Sequence, residues 1–186
     1  MEKRLTRNEL LENLLQRASN PFTSMEQKTE IKKILMESTT MRGMNHLFLV
    51  RCYFNEENPL FFVTEDEALR QAHLALKENN TGAYYYLSLL YKDKDPTKAR
   101  NYLRLSCYAK NPYAFLLLGK YRKEGILFEK DRKKAEECFR IAANCHLKEG
   151  YFQLLLMASE DHDISKENGI YGEALFHGIK LPGVIE

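Results

Sequence analysis

Three helix-start signals in the middle of the chain are followed by the same residue types at the same distances. Thr64, Asp95 and Asp131 are each followed four residues later by alanine, at Ala68, Ala99 and Ala135. Seven residues on stand Gln71, Tyr102 and Cys138. Eleven and twelve on stand Ala75 with Leu76, Ser106 with Cys107, and Ala142 with Ala143. Nineteen on stand Ala83, Ala114 and Gly150, and four beyond those Leu87, Leu118 and Leu154. Small residues at fixed places let two helices approach closely. The unit is therefore a pair of antiparallel helices, and units of this kind stack to share one core. Leu118, at a repeat-defining position, is expected inside that core.

The starts themselves are legible. Ser24 with Gln27, Thr64 with Glu67 and Thr6 with Glu9 read as capping boxes, in which a hydroxyl accepts from an orphan N–H and the acid or amide reaches back. Asp95 precedes Pro96, a ring whose missing N–H costs nothing at the first helical position. Apolar residues at helical spacing follow, such as Leu10, Leu11, Leu14 and Leu15, then Ile31, Ile34 and Leu35. Residues 5–18 and 24–38 read as two further helices, 43–54 as a degenerate first helix, and 149–159 as the opening of a last unit that 170–180 closes. Leu60-Phe61 and Leu127-Phe128 occupy equivalent loop places and are expected to plug the loops against the core.

The stretch 114–143 resembles one full repeat of the Sel-one-like repeat family, relatives of the tetratricopeptide repeat. Ala114, Leu118, Gly119, Gly125, Asp131, Lys134, Ala135, Phe139, Ala142 and Ala143 fill the places of that pattern. Ala83, Leu87, Tyr91, Asp95, Lys98 and Ala99 form a shorter second copy, and the resemblance covers about 64–158. Leu127 stands where the family has its second loop glycine, and Ser88 and Leu155 replace the glycine of Leu-Gly. The fold expected is all-α: a right-handed α-solenoid of stacked antiparallel helix pairs with extra N-terminal and C-terminal capping helices. It is expected as one repeat domain over 1–186, with N-terminal helices at 5–38, repeats at 43–158, and a C-terminal cap and tail at 159–186 that Val184 and Ile185 could dock.

Composition narrows the function. No uncharged run, Gly43 to Val50 among them, is long enough to span a bilayer, and the charged start is no secretory signal. Four irregularly spaced cysteines, Cys52, Cys107, Cys138 and Cys145, suit a reducing compartment, so a cytoplasmic protein is expected. Net charge is +2, yet residues 92–148 hold 15 Lys and Arg against 7 Asp and Glu. A basic-surface binder of nucleic acid or another polyanion, centred on Lys120, Arg122, Lys123, Arg132, Lys133 and Lys134, is therefore the alternative to the reading below.

No catalytic, cofactor or metal site is expected. Gly169 and Gly172 lack the spacing and the lysine of a phosphate loop. Cys138, Cys145 and His146 share roughly one helix face, but a structural zinc needs four converging ligands. Asp161, His162 and Asp163 read as a polar turn. His46, His73, His146, His162 and His177 fall in no motif. The position after the opening residue of each unit is aromatic, at Phe48, Tyr84, Phe115 and Tyr151, with small or apolar residues four further on. Such a row lines a concave groove or packs between units. The groove reading makes the chain a non-catalytic scaffold or adaptor that binds a peptide or protein surface. Its contact residues would be Phe48, Tyr84, Ser88, Phe115, Gly119, Arg122 and Tyr151.

Overall fold

The structure, a computed structural model, describes residues 9, 13, 14, 16, 17, 20, 22–37, 41–54 and 62–181, at Met41 for the backbone alone. The described residues form nine α-helices and no strand. They are α1 (Met25–Glu37), α2 (Met44–Tyr53), α3 (Glu65–Lys77), α4 (Ala83–Leu90), α5 (Pro96–Tyr108), α6 (Pro112–Glu124), α7 (Arg132–Asn144), α8 (Lys148–Glu160) and α9 (Ile164–Phe176). A 3-10 turn at Met41–Gly43 precedes α2. Helical backbone also occurs at Glu9, Asn13, Leu14, Gln16 and Arg17. Thr6, Leu10, Leu11 and Leu15, the plug Leu60-Phe61, and Val184 and Ile185 lie outside the described residues.

The expected starts are in place. Ser24 and Gln27 exchange two hydrogen bonds of 3.3 Å. Thr64 forms the same box with Glu67. Asp95 accepts from the Lys98 N–H and Asp131 from the Lys134 N–H, each at 3.0 Å. A further start is Asp163, which accepts from the Lys166 N–H at 2.9 Å and opens α9. The closing helix is thus 164–176 rather than 170–180. Asp163 opens a fourth copy of the second helix, with Ile170 at plus seven and Ala174 at plus eleven. Glu167 at plus four, where the other copies have alanine, hides it from the pattern.

The helix ends repeat as strictly as the starts. Fifteen residues after each cap the backbone turns left-handed: Asn79 at φ 62°, Lys110 at 60°, His146 at 59° and Gly178 at 70°. The next N–H then reaches back five residues, from Asn80 to Ala75, Asn111 to Ser106, Leu147 to Ala142 and Ile179 to Ala174, at 2.8–3.1 Å. This Schellman closure satisfies carbonyls left over at the helix end and reverses the chain into the next element.

The alanines at plus eleven and plus twelve then have a defined task. A Cβ on Gly150 would stand 2.5 Å from Ala143 N, and one on Gly43 would stand 2.8 Å from Ala75 Cα. Backbone lies against backbone at both places, so a side chain has no room. Leu127, at φ 57°, takes the left-handed conformation that suits a glycine and occupies the family's second glycine place.

Two compact units result, Met1–Tyr102 and Leu103–Glu186, and α5 carries the chain from one into the other. The first has a core that includes Leu35, Leu49, Val50, Ala68, Ala72 and Leu87. It also encloses His46, whose Nδ1 lies 2.6 Å from Gln71 Oε1 and whose Nε2 lies 3.5 Å from Glu78 Oε1. Glu78 accepts from the Gly43 N–H at 2.7 Å, which ties α3 to the turn before α2. The second unit packs Phe139, Ala142, Ala143, Tyr151, Leu154, Ala158 and Ala174. Leu87 and Leu154 are fully buried, whereas Leu118 is only half-buried.

Two substitutions test this frame by urea denaturation. Lys110→Gly should raise stability by about 1 kcal/mol, because an exposed L-residue in the left-handed region costs roughly 1–2 kcal/mol, partly offset by the freer unfolded glycine. Gly150→Ala should lower it by roughly 1–3 kcal/mol through overpacking against the α7 backbone. An unchanged midpoint for Gly150→Ala would mean that α7 and α8 do not meet there.

Candidate functional site: an apolar slot between two helices

Helix α8 has two unlike faces. Gly150, Tyr151, Leu154, Leu155 and Ala158 turn into the core of the second unit. Lys148, Phe152, Leu156 and Ser159, at helical spacing, form an outer ridge. Phe152 is 37% exposed and Leu156 39%. On α9, Glu167, Tyr171 and Leu175 form a second ridge. Between the two runs a slot, recorded as a cleft of about 160 Å3 lined by Phe152, Leu155, Leu156, Ser159, Glu167 and Tyr171. At the Lys148 end a larger cleft, about 420 Å3, is lined by Lys148, Glu149, Phe152, Lys180 and Leu181. Phe152 belongs to both.

In the preceding helix pair several of the equivalent places are closed. Leu116 on α6 stands at the place of Phe152, and Ala135, Phe139 and Ala143 on α7 at the places of Glu167, Tyr171 and Leu175. All four are buried, in a core to which α8 contributes Tyr151, Leu154 and Leu155. Ile164 and Phe176, 71% and 85% exposed, add further apolar area to α9.

Of the residues expected in an aromatic groove, Phe48, Ser88, Gly119 and Tyr151 are buried, whereas Tyr84, Phe115 and Arg122 are half-buried. Phe48 is buried at 7% in the first unit's core, and Tyr151 is fully buried in the second's. Neither presents a ring to a partner, because its helix turns that side inward. Burial pushes the Tyr151 hydroxyl pKa up, and among the described residues that hydroxyl has no hydrogen-bond partner. Ser88 is buried and donates to the Tyr85 carbonyl at 2.6 Å. The open side of Gly119 is filled by the Phe139 ring. Tyr84 is half-buried, its ring stacked on Tyr102 at 6.3 Å, and Tyr102 stacks in turn on Tyr91 at 5.7 Å. Phe115 is half-buried against the second core. The Arg122 guanidinium lies 5.4 Å over the Phe128 ring, with Arg104 at 5.7 Å from the same ring. The sequence signal that marked Tyr151 belonged, one residue on, to Phe152: a large apolar residue on the helix face opposite the small opening residue.

Part of the basic stretch is matched by acids. Glu160 receives Lys123 at 2.6 Å and Arg132 at 2.7 Å, and Arg132 also reaches Asp161 at 2.7 Å. These hydrogen bonds, Lys123 first, hold the Glu160 carboxyl below its ordinary range. Lys134 pairs with Asp131 at 3.0 Å. Exposed pairs of this kind add little stability, but they neutralise the field that a polyanion would read.

For chemistry the arrangement offers little. No group of three or more His, Cys, Asp or Glu that could hold a metal occurs among the described residues. Burial, and then the neighbouring Cys138, push the Cys107 thiol up to about 12. Burial raises Cys138 too, so neither is a ready thiolate. His73 lies 3.2 Å from the Tyr91 hydroxyl, and burial lowers its pKa, with Lys98 and Lys77 adding to the effect.

Searches of family models and of curated proteins return no match. Solved structures do match. One is a protective antigen present in uropathogenic Escherichia coli strains displaying an SLR fold, with a TM-score of 0.56 and 19% identity over 90% of this chain and 33% of the other. Another is a Sel1 repeat protein from Oxalobacter formigenes, with a TM-score of 0.51 and 19% identity over 96% of this chain and 52% of the other. The chain thus spans about a third of one and about half of the other, and it has the Sel1-like repeat fold, an all-α solenoid class.

Adjacent residues on α8 separate core from surface. Tyr151→Ala should cost roughly 3–5 kcal/mol, and Tyr151→Phe should leave stability equal or up to about 1 kcal/mol higher by removing an unpaired hydroxyl. Phe152→Ala should cost no more than about 1 kcal/mol. Thermal denaturation with the two costs reversed would reject this register of α8.

Proposed function

We propose that the chain is a non-catalytic protein–protein interaction module, a scaffold or adaptor that holds a peptide or protein surface against the first helices of its repeats. The observation that carries this reading is the apolar slot between α8 and α9, where Phe152 is 37% and Leu156 39% exposed. Exposed apolar side chains gathered in a cleft mark places where proteins bind one another. Support comes also from the fold, whose repeating features are caps, turns and close approaches rather than chemistry. The repeat register runs through α5 without a break, which favours one repeat domain over 1–186. The four free thiols suit the cytoplasm, and no described helix is long and apolar enough to cross a membrane.

A photoreactive phenylalanine analogue placed at position 152 in source cells should yield a covalent protein adduct. The same analogue at Tyr108, 89% exposed and outside the slot, should not. Equal labelling from both positions, or none from 152, would reject the interaction reading. Mass spectrometry after alkylation should find Cys52, Cys107, Cys138 and Cys145 all reduced. An intramolecular disulfide among them would overturn the cytoplasmic placement.

A further inference from the structure

We infer that Arg104 and Arg122, gathered on the Phe128 ring, form a binding site for a phosphate monoester. The inference goes beyond the interaction reading and does not depend on it. A small phosphorylated molecule and a phosphorylated side chain of a partner present the same group.

The three residues come from three elements of the chain. Arg104 lies on α5, Arg122 in the last turn of α6, and Phe128 in the loop that leads to α7. That loop is pinned at both ends. The Gly125 N–H donates to the Tyr121 carbonyl and the Asp131 N–H to the Arg122 carbonyl, each at 2.8 Å. The half-buried Phe128 ring then has the Arg122 Cζ 5.4 Å and the Arg104 Cζ 5.7 Å from its centre. A ring face attracts a cation without neutralising its charge.

These two arginines differ from their neighbours in that their charge is unspent. Residues 103–186 contain four arginines, Arg104, Arg122, Arg132 and Arg140. Arg132 pairs with Glu160 and Asp161, and Arg140 with Glu173, all at 2.7 Å. Arg104 and Arg122 have no ion pair and no side-chain hydrogen bond among the described residues. Asp131, whose carboxyl feels Arg122, is committed to the start of α7. It accepts from the Lys134 N–H and pairs with Lys134 Nζ, both at 3.0 Å. The Lys134 bonds are first among the causes that hold that carboxyl below its ordinary range, and the charge of Arg122 is the last.

Held on one ring, two like charges repel, and an anion between them relieves the repulsion. A carboxylate, or the diester of a nucleic-acid backbone, brings one negative charge. A phosphate monoester brings about −1.5 to −2 at pH 7 and three acceptor oxygens. Both match a pair of guanidinium forks. The hydrogen-bearing edge of the ring, positive where its faces are negative, favours an anion as well.

Isothermal titration calorimetry of the full chain reads the site. The probes are glycerol 3-phosphate and an end-blocked alanine peptide with one central phosphoserine. Dimethyl phosphate and the unphosphorylated peptide are the controls. At least one monoester probe should bind saturably, at one site per chain, and neither control should. Arg104→Gln and Arg122→Gln should each weaken that binding at least about tenfold while circular dichroism stays unchanged. Lys123→Gln removes a charge already spent on Glu160 and should weaken it less than about twofold. Tighter binding of the phosphopeptide supports the site and assigns its ligand to a protein side chain. Tighter binding of glycerol 3-phosphate supports the site and assigns a small molecule. No saturable binding of either monoester, equal binding of dimethyl phosphate, or an equal loss from Lys123→Gln would overturn the inference. So would an oligouridylate with free hydroxyl ends that binds more tightly than both monoesters, since the surface would then read diesters.

Discussion

The close approach of helix backbones at Gly43 and Gly150 is the constraint from which the rest of the molecule follows. At Gly150 a single added carbon would meet Ala143 N at 2.5 Å, and at Gly43 it would meet Ala75 Cα at 2.8 Å. Such spacing is reached only if the facing residues are small, which accounts for Ala75, Ala142 and Ala143 at the same distances from their caps. It also requires the chain to enter the second helix of the contact at a set angle. The left-handed turn fifteen residues after each cap supplies that angle at His146, and the same turn recurs at Asn79, Lys110 and Gly178. Three of these four positions lack glycine. The packing that they make possible outweighs a local cost of roughly 1–2 kcal/mol at each.

On α7 the line of small or apolar residues is closed, at Ala135, Phe139 and Ala143. At α9 the same line is open, and its residues are larger: Tyr171 and Leu175 in place of Phe139 and Ala143. The polar groups of the second unit are spent elsewhere. Arg132 clamps the start of α7 to the end of α8 through Glu160, Asp161 and the Met157 carbonyl at 2.7–2.9 Å. Charge thus holds the sides of the helix pair together while the slot between α8 and α9 keeps an apolar floor.

Much of this was legible residue by residue. The starts at Ser24, Thr64, Asp95 and Asp131 are local events, decided by a side chain and an N–H two or three residues away. Asp163 carries the same signal, but Glu167 breaks the alanine rule that made the other copies visible, so the last helix was placed six residues late. The aromatic row was harder for a different reason. Phe48, Tyr84, Phe115 and Tyr151 are equivalent by position, yet two are buried and two half-buried. A ring's exposure depends on what covers its helix, and spacing along one helix does not contain that. Pairing within the basic stretch 92–148 was hidden for a similar reason, since Glu160 and Asp161 come to Lys123 and Arg132 from the far end of α8.

The sequence by itself determined the helices, their caps, the two-helix repeat and its small-residue seams, because each depends on hydrogen bonds and sterics within a few residues or on a periodicity repeated in several copies. Tertiary structure alone decided which face of each helix is covered. It turned Tyr151 inward and Phe152 outward, paired Lys123 and Arg132 with acids 28 to 37 residues away, and set Phe152, Leu156 and Tyr171 along one slot. Burial is a property of neighbours in space, which spacing along one helix does not contain.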